Sequence, residues 1–288
     1  MNPTLSLVSG GLRCEIVPGL GAAIAGLWLD DIPVLRSGAG ADLASVRDAG
    51  SYPLVPFSNR IGHAQLQWNG SSHPLARNFP PEPHAIHGVG WQRSWAVMEA
   101  QPHFALLAFE HQPDASWPFA FDCSQAFRLS VDALEISLSV TSQAWQAAPF
   151  GLGWHPYFVK RPHSHLAFQA TARWEMGADK LPTHRTPSGG LDTACATLDV
   201  DHCYEGCNGD VELRDPLLLV RLSSSLQRLV VFTQPVRDFV AIEPVSHVNN
   251  AVNMAAADPR LRLQDLGVEL LAPGQTLTAS MRIAVARR

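Results

Sequence analysis

The chain has 288 residues, with 21 Lys and Arg against 26 Asp and Glu and a net charge of −5. Hydrophobic residues make up 46% and charged residues 16% of the sequence, which favours a large folded core and argues against intrinsic disorder. The basic residues are scattered apart from Arg287 and Arg288. No basic stripe is therefore available to follow a phosphate backbone, and nucleic acid is excluded as an expected partner.

Three further features of the sequence predict the compartment. Residues 1–19, MNPTLSLVSGGLRCEIVPG, have no basic segment followed by an apolar core, so no signal peptide is expected. No apolar run reaches the roughly 18 residues that a membrane-spanning helix needs. The 5 cysteines are odd in number and widely spaced, which is typical of reduced thiols. We expect a cytoplasmic protein without a membrane partner, and the sequence leaves its oligomeric state open.

Segments of strand length with a period of two dominate the predicted secondary structure. Leu134, Ile136 and Leu138 alternate with polar residues, as expected of a half-buried strand. In chain order, strands are predicted at residues 103–111, 124–131, 134–140, 226–233 and 277–285. Turn signals lie between or beside them, at Asn69-Gly70, Asn208-Gly209-Asp210 and Pro273-Gly274.

Helices are predicted to be few and short, because the chain contains 22 Pro and 21 Gly. The best candidates lie around residues 42–49 and 258–266, where Asp258 is expected to cap a turn with Pro259 at its first helical position. No fixed-period repeat, low-complexity segment or linker interrupts the chain. The predicted fold is all-β, a single large antiparallel β-sandwich domain spanning residues 1–288.

Five polar segments stand out in otherwise apolar sequence rich in Gly and Pro. They are PFSNRI at 56–61, IHGVGW at 86–91, GLGWHPYF at 151–158, LDVDHCYEG at 198–206 and IEPVSHVNNAVN at 242–253. Their chemically active side chains are Arg60, His87, His155, Asp201 and Glu243. Imidazoles and carboxylates beside aromatic residues suit acid–base chemistry on an uncharged polyhydroxylated substrate such as a sugar.

Two of these side chains are the candidate acid and base. A lone histidine in an apolar run such as that of His155 is more often a core residue. The strand is expected to hold Trp154 and Tyr157 on the face opposite the imidazole, which would then point into a cleft. Glu243 follows the apolar residues 239–242. Partial burial would raise its pKa and make it a better base, whereas the alternative is an ordinary edge-strand glutamate.

The other three side chains also have structural alternatives. Arg60 offers a fork of hydrogen-bond donors to vicinal hydroxyls, or forms a salt bridge to a loop carboxylate. His87 lies beside a glycine-rich turn and either contacts substrate or bonds to the backbone. Asp201 accepts from a sugar hydroxyl or belongs to a solvated turn.

A metal site is the weaker interpretation of the remaining polar residues. His84 and His87 have an HxxH spacing, but Pro80, Pro81 and Pro83 argue against the helix that such a pair usually occupies. Cys203 and Cys207, with His202 beside them, are more simply explained as packing thiols. We expect neither a metal nor a cofactor.

In order along the chain, these segments resemble the aldose 1-epimerase (mutarotase) family. The resemblance runs from about residues 19–35 to the last strand. It implies the galactose mutarotase-like fold, a large antiparallel β-sandwich known as a supersandwich, and a small-molecule sugar as substrate. SNRIG resembles the family's NRI motif and IHG its HG motif; WHPYF, LDVDHCY and the last segment resemble the motifs that carry the acid, an Asp and the base.

The resemblance also implies a role for each residue. It gives Arg60 and Asn59 a sugar-binding role, and His87 a binding and polarising role. His155 becomes the general acid that protonates the ring oxygen, and Glu243 the base that takes the anomeric proton. The remaining assignments are Asp201 as a contact to a sugar hydroxyl, Trp154 as a substrate-binding aromatic and Asn253 as a structural match.

Departures from the family pattern affect the expected sugar preference and leave the acid–base pair intact. Val89 follows the HG motif, Trp95 comes early, and Pro244-Val245 follow the catalytic glutamate, which is similar to a divergent bacterial branch. Three alternatives stay open: a mutarotase for a phosphorylated sugar, with Arg36 and Arg93 as possible phosphate partners; a non-catalytic carbohydrate-binding protein; and a metal-dependent enzyme.

Overall fold

The computed structural model describes residues 2–288 and is built mainly from antiparallel strands. The first strands are β1 Leu5–Ser9, β2 Leu12–Val17, β3 Ala23–Leu29, β4 Ile32–Pro33, β5 Pro53–Leu54, β6 Arg60–Ile61, β7 Gln65–Trp68, β8 Ser71–Pro74 and β9 Ala85–Ile86. The next are β10 Ala96–Gln101, β11 Phe104–His111, β12 Phe121–Leu129, β13 Ala133–Ser142, β14 Ala148–Phe150, β15 Gly153–Trp154, β16 Tyr157–Val159, β17 His165–Phe168 and β18 Ala172–Met176. The last are β19 Pro182–Pro187, β20 Leu191–Ala194, β21 Val200–Glu205, β22 Asp210–Arg214, β23 Leu218–Ser224, β24 Arg228–Thr233, β25 Phe239–Val245, β26 Glu269–Leu271 and β27 Thr276–Arg287.

Two large antiparallel sheets dominate the architecture. One has nine strands in the order β10-β11-β12-β13-β27-β23-β22-β17-β20. The other has eight, in the order β19-β18-β21-β24-β25-β15-β5, with β16 also paired to β25. Buried residues of both sheets, such as Phe127 and Ile242, belong to one continuous core. This arrangement confirms the predicted antiparallel β-sandwich.

The strands form where apolar residues alternate, because every second side chain then enters the core. In β13 the predicted residues Leu134, Ile136, Leu138 and Val140 are buried. Its neighbour β27 contains the predicted segment 277–285 and pairs Met281 with Ile136. The other predicted strands coincide with β11, β12 and β24 to within a few residues at each end. Asn69 and Gly70, both at positive φ, form the expected hairpin turn between β7 and β8.

The helix predictions were partly wrong. Around residues 42–49 the chain forms two 3-10 turns, Gly40–Asp42 and Val46–Asp48. The α-helix of residues 2–288 is α1, Ala251–Ala257, which ends where a helix was expected to begin. Asp258 donates its N–H to Met254 O and so closes α1. Its carboxylate accepts from the backbone N–H of Arg260 at 3.0 Å, which holds the following residues in a turn.

Within residues 2–288 there is no helix with the length and apolarity that crossing a membrane requires. The 5 cysteines are all free and buried.

Candidate functional site

A cavity of about 350 Å³ opens on one face of the eight-stranded sheet. Six of the predicted site residues line it, and they are Asn59, Arg60, His87, His155, Asp201 and Glu243. The first three polar segments contribute the loop residues Asn59, His87 and His155, and the fourth and fifth contribute Asp201 and Glu243 from strands. Side chains far apart in sequence thus meet at one place. The volume lies within the range of small-molecule sites.

Strand register places the sheet-borne residues on the same side. Glu243 of β25 pairs with Val230 of β24, and Asp201 of β21 pairs with Phe232 of β24. Residues two positions apart on a strand share a face, and all four side chains line the cavity. Asp201 is therefore a half-buried strand residue, and its alternative as part of a solvated turn is wrong.

The loop-borne residues Asn59 and His87 hold each other in unusual backbone conformations. Both have positive φ, at 53° and 61°, which non-glycine residues rarely adopt. His87 donates its N–H to Asn59 O at 2.8 Å, and Asn59 donates its N–H to His87 Nδ1 at 3.1 Å. Because Nδ1 accepts, the imidazole proton lies on Nε2. Burial, then the proximity of His155 and Arg60, lowers the pKa of His87 well below its ordinary value, so its ring is a neutral donor.

The glycine after His87 is required by the backbone. Gly88 has φ +69, and a Cβ atom there would lie 2.2 Å from Val55 O. The neighbouring Val89 donates its N–H to the same carbonyl at 2.8 Å. The IHG motif therefore packs this loop against Val55, which directly follows β5. This contact holds the imidazole of His87 in place.

His155 and Glu243 form a buried pair, with 3.1 Å between Nε2 and Oε1. Burial, then the charge of Asp201, raises the pKa of Glu243 well above its ordinary value. Burial, then the charge of Arg36, lowers the pKa of His155 to about 3. Both directions favour the uncharged forms of the two side chains. Within residues 2–288, Glu243 Oε2 and His155 Nδ1 have no hydrogen-bond partner.

Two tyrosines that the sequence analysis did not assign to the site extend this pair. The hydroxyl of Tyr157 lies 3.3 Å from His155 Nε2 and 3.0 Å from the hydroxyl of Tyr52. The rings of Tyr157 and His155 stack with 4.3 Å between centroids. Burial raises the pKa of Tyr157 to about 12 and that of Tyr52 well above its ordinary value, so both remain hydrogen-bond donors.

The expected facing of the aromatic residues beside His155 was wrong. Tyr157 is two positions from His155 and shares its face, as the alternation of a strand requires. Trp154 alone lies on the opposite face, where it is 1% exposed and donates its indole N–H to Gln125 Oε1 at 2.9 Å. Trp154 therefore joins the two large sheets in the core and does not reach the cavity, which corrects its prediction as a substrate-binding residue.

Arg60 combines both of its predicted alternatives. It lines the cavity, donates to Asn59 Oδ1 at 3.1 Å and forms a salt bridge to Glu82 at 3.0 Å. Lys180 lies 3.4 Å from the same carboxylate. Burial opposes the ionisation of Glu82, yet Arg60 and Lys180 hold its pKa below the ordinary value. Burial raises the pKa of Asp201, partly offset by the same two cations.

The metal interpretation finds no support in the geometry. His84 accepts from the N–H of His63 through Nδ1, and its Nε2 bonds to Asp179 O, so both ring nitrogens are occupied. Burial raises the pKa of Cys207 to about 12, which disfavours a thiolate ligand. Across residues 2–288, no group of three or more His, Cys, Asp and Glu side chains is arranged to hold a metal ion.

Other predicted residues lie outside the cavity. Asn253 connects α1 to β7, because it accepts from Gln67 N and donates to Gln65 O, both at 2.8 Å. Arg93 pairs with Asp114 at 2.7 Å and does not line the cavity, whereas Arg36, the other candidate for a phosphate, does. The sequence analysis assigned no role to the further lining residues Arg47, Phe79, Glu82, Lys180, Arg237 and Phe239.

Comparison with known proteins extends over nearly the whole chain. A family model described as Aldose 1-epimerase matches residues 3–284. The uncharacterized Escherichia coli (strain K12) protein YphB is 30% identical over 297 residues, which span 97% of this chain and 98% of that protein. A solved structure of a candidate aldose 1-epimerase from Escherichia coli K12 superposes with a TM-score of 0.88 at 27% identity over 100% of both chains. A galactose mutarotase-like protein from Clostridium acetobutylicum has the same fold, with a TM-score of 0.84 at 18% identity over 98% of this chain and 95% of that one. The predicted family resemblance and galactose mutarotase-like fold are thus confirmed.

Proposed function

This chain belongs to the aldose 1-epimerase family, and on that premise we propose that it is a mutarotase, an isomerase that interconverts the α and β anomers of an aldose. The observation that carries the proposal is the buried His155–Glu243 pair, 3.1 Å apart, beside a cavity lined by hydrogen-bond donors and aromatic rings. Ring opening requires one group to remove a proton and another to supply one, and a pair holding a single proton offers both functions.

In the proposed reaction, Glu243 accepts the proton of the anomeric hydroxyl while His155 Nε2 donates its proton to the ring oxygen. The bond between the anomeric carbon and the ring oxygen breaks, and the electron pair of the departing O–H bond forms the aldehyde C=O. Rotation about the C1–C2 bond and closure by the reverse proton transfers give the opposite anomer. Atoms and electrons balance without a cofactor, and the enzyme returns to its starting state.

The burial of the pair prepares it for these transfers. We propose that in the free protein one proton is shared between Glu243 Oε1 and His155 Nε2, which lie 3.1 Å apart. Its movement to Nε2 leaves an ionised carboxylate as base and a protonated imidazole as acid. Glu243 lines the cavity, which places its carboxylate where a substrate hydroxyl can meet it. Each well-placed proton-transfer group typically contributes about 10²–10⁴ in rate.

The neighbouring donors complete the site. His87 presents a neutral Nε2–H and Arg60 a guanidinium fork, and both line the same cavity. Donors that are already oriented stabilise charge on sugar oxygens without reorganising during the reaction. We assign substrate binding to these two residues, Asn59 and Asp201.

The proposal also covers the setting of the protein. We propose one domain, because buried residues of the two large sheets and of β1–β3 share a single core. We propose the cytoplasm as its compartment, because all 5 cysteines are unpaired, as in reducing environments.

The test is anomer exchange measured by saturation-transfer proton NMR on a panel of aldoses, with wild type and Glu243→Gln. Wild type is expected to accelerate exchange, and the variant, which keeps the shape and loses the base, to lose about 10²-fold or more of that acceleration. Glu110→Gln, at an exposed strand glutamate outside the cavity, is the matched control. Sugar binding without accelerated exchange in wild type would instead indicate a carbohydrate-binding protein.

A further inference from the structure

Part of the cavity wall carries positive charge that no carboxylate neutralises. Arg36, Arg47 and Arg237 line the cavity, and we call them the arginine wall. Within residues 2–288, none of their guanidinium groups has a carboxylate within the 4.0 Å of a salt bridge. Most other lining charges are paired, as Arg60 and Lys180 are with Glu82.

Aromatic rings and carbonyls hold the arginine wall in place instead. The guanidinium of Arg36 lies 4.0 Å from the ring centre of Tyr157 and donates to Ala49 O at 2.7 Å. That of Arg47 lies 3.7 Å from the ring centre of Phe79. Arg237 lies 5.9 Å from the ring of Phe239. Such contacts orient a guanidinium without cancelling its charge. Nε and Nη2 of Arg36 already donate to backbone carbonyls, whereas the guanidinium donors of Arg47 and Arg237 make no hydrogen bond within residues 2–288 and stay available to an anion.

The charge of the cavity differs in sign from that of the chain. Five cations line it, the arginine wall with Arg60 and Lys180, against three carboxylates, Glu82, Asp201 and Glu243. Burial raises the pKa of two of those carboxylates, Asp201 and Glu243, which reduces their negative charge further. The whole chain nevertheless has a net charge of −5. A local excess of positive charge in a cleft of an acidic protein attracts and orients anionic ligands.

The position of the arginine wall indicates which part of a substrate it meets. The acid–base pair is buried, with His155 7% and Glu243 2% exposed, whereas Arg47 and Arg237 are exposed. The cavity therefore leads from the reacting groups, past Arg36 beside Tyr157, to Arg47 and Arg237 at its mouth. Ring opening needs a free anomeric hydroxyl, so an anionic group cannot be attached at C1 and must lie elsewhere on the sugar.

We propose that the substrate is an aldose that carries an anionic group, a phosphate or a carboxylate, at the end remote from the anomeric carbon, and that the arginine wall binds this group. The inference rests on the proposed function, which places the anomeric carbon at His155 and Glu243. Guanidinium groups that line one cavity without a carboxylate partner suit the several oxygens of a phosphate or a carboxylate.

The experiment compares a hexose 6-phosphate, a hexuronate and the corresponding neutral hexose. Anomer exchange gives kcat/KM for each sugar, and titration calorimetry gives its affinity. The variants are Arg47→Gln, Arg237→Gln and the double variant; Arg36 is left intact because its carbonyl hydrogen bonds support the loop. Arg128→Gln is the matched control, since this exposed arginine lies 5.0 Å from the ring of Phe104, outside the cavity.

Wild type is expected to prefer at least one anionic sugar, and the comparison of the phosphate with the uronate identifies the anion. The ratio of kcat/KM for that sugar to kcat/KM for the neutral hexose should fall by about tenfold for each arginine replaced. The same ratio should be unchanged in Arg128→Gln. Salt should weaken the preference in wild type.

Failure of the inference and failure of the proposed function give different results. Efficient exchange of the neutral hexose with no preference for either anion, or a preference that survives in the double variant, would overturn the inference and leave the mutarotase intact. No exchange of any sugar, together with anion-selective binding that the double variant loses, would overturn the mutarotase and support the anion site. No exchange and no selective binding would overturn both.

Discussion

Two buried glutamates of the eight-stranded sheet show how surroundings separate a structural carboxylate from a reactive one. Glu205 of β21 pairs with Arg228, and Glu243 of β25 pairs with Val230, so strand register places both on one face. Glu205 accepts from Arg185 at 2.6 Å and from Arg228 at 3.1 Å. Glu243 meets one imidazole and keeps an unpartnered oxygen. Both side chains are buried, with Glu205 7% and Glu243 2% exposed. The two glutamates differ in the number of partners that neutralise the carboxylate.

The comparison teaches that a carboxylate is reactive where the fold leaves its charge incompletely compensated. Two guanidinium groups bond to the Glu205 carboxylate, which suits a fixed support. Burial and the charge of Asp201 raise the pKa of Glu243, which makes its carboxylate a stronger base than an ordinary glutamate. The residue type and the sheet are the same in both cases.

The largest expected effect is on catalysis at the reactive glutamate. Glu243→Gln and His155→Gln should each lower kcat by about 10²–10⁴. Because the two groups share one proton, the double variant should be only slightly worse than either single variant. Anomer exchange measured by NMR on all three variants tests this. As a control, Glu205→Gln and Arg228→Gln should each leave kcat within about threefold of wild type. If the losses from His155→Gln and Glu243→Gln add fully in the double variant, the two groups do not share a proton.

The next effect is on stability at the structural glutamate. Glu205→Gln should lower the free energy of unfolding by about 2 kcal/mol, because it removes a charge that two arginines share in a largely buried setting. Urea denaturation with a fixed m-value measures it. Glu212→Gln is the control, since its partner Arg214 is 40% exposed and such pairs contribute at most about 1 kcal/mol. Equal losses in the two variants would show that burial at Glu205 does not matter.

The same contrast explains which parts of the protein were predictable. Alternation of apolar residues was sufficient for β11, β13 and β27, because burial of every second side chain is a local property. His155 and Glu243 stood out as polar residues in apolar runs. Strand alternation places Trp154 opposite His155 and Tyr157 on the same side as His155, so it excludes Trp154 from the cleft and predicts Tyr157 there. The helix at Ala251–Ala257 was missed because Asp258, which can begin or end a helix, was taken as a beginning.

The rest of the site depends on contacts that sequence spacing does not show. Tyr52 directly precedes β5 and is far from Tyr157 in sequence. The tertiary fold brings their two hydroxyl groups together. Arg36 and Arg47 lie in the connection between β4 and β5, Arg237 follows β24, and the three share no motif. Which cations lack a carboxylate partner depends on the tertiary fold, because Asp48 and Asp238 follow Arg47 and Arg237 directly in sequence and form no salt bridge with them.

A smaller effect concerns pH. Burial raises the pKa of Glu243 above its ordinary 4.5, so its contribution to stability is present below pH 4.5 and is lost as the pH rises through the folded-state pKa. Glutamine does not titrate. The free energy of unfolding of Glu243→Gln relative to wild type should therefore increase from pH 5 to pH 8, by about 1 kcal/mol or more. Denaturant titrations at both pH values measure this, and a difference that stays constant or decreases would contradict the raised pKa.

The smallest expected effect tests whether the hydroxyl of Tyr157 positions the reactive pair. Tyr157→Phe keeps the ring stacked on His155 and removes the hydroxyl that lies 3.3 Å from Nε2. We expect kcat to fall by about three- to tenfold, the equivalent of about 1 kcal/mol for one hydrogen bond, with a smaller change in KM and a displaced pH profile. Tyr204→Phe, a phenol outside the cavity, is the control. A loss confined to KM would mean that Tyr157 contacts the sugar and does not position His155. The imidazole of His155 alone would then compensate the charge of Glu243.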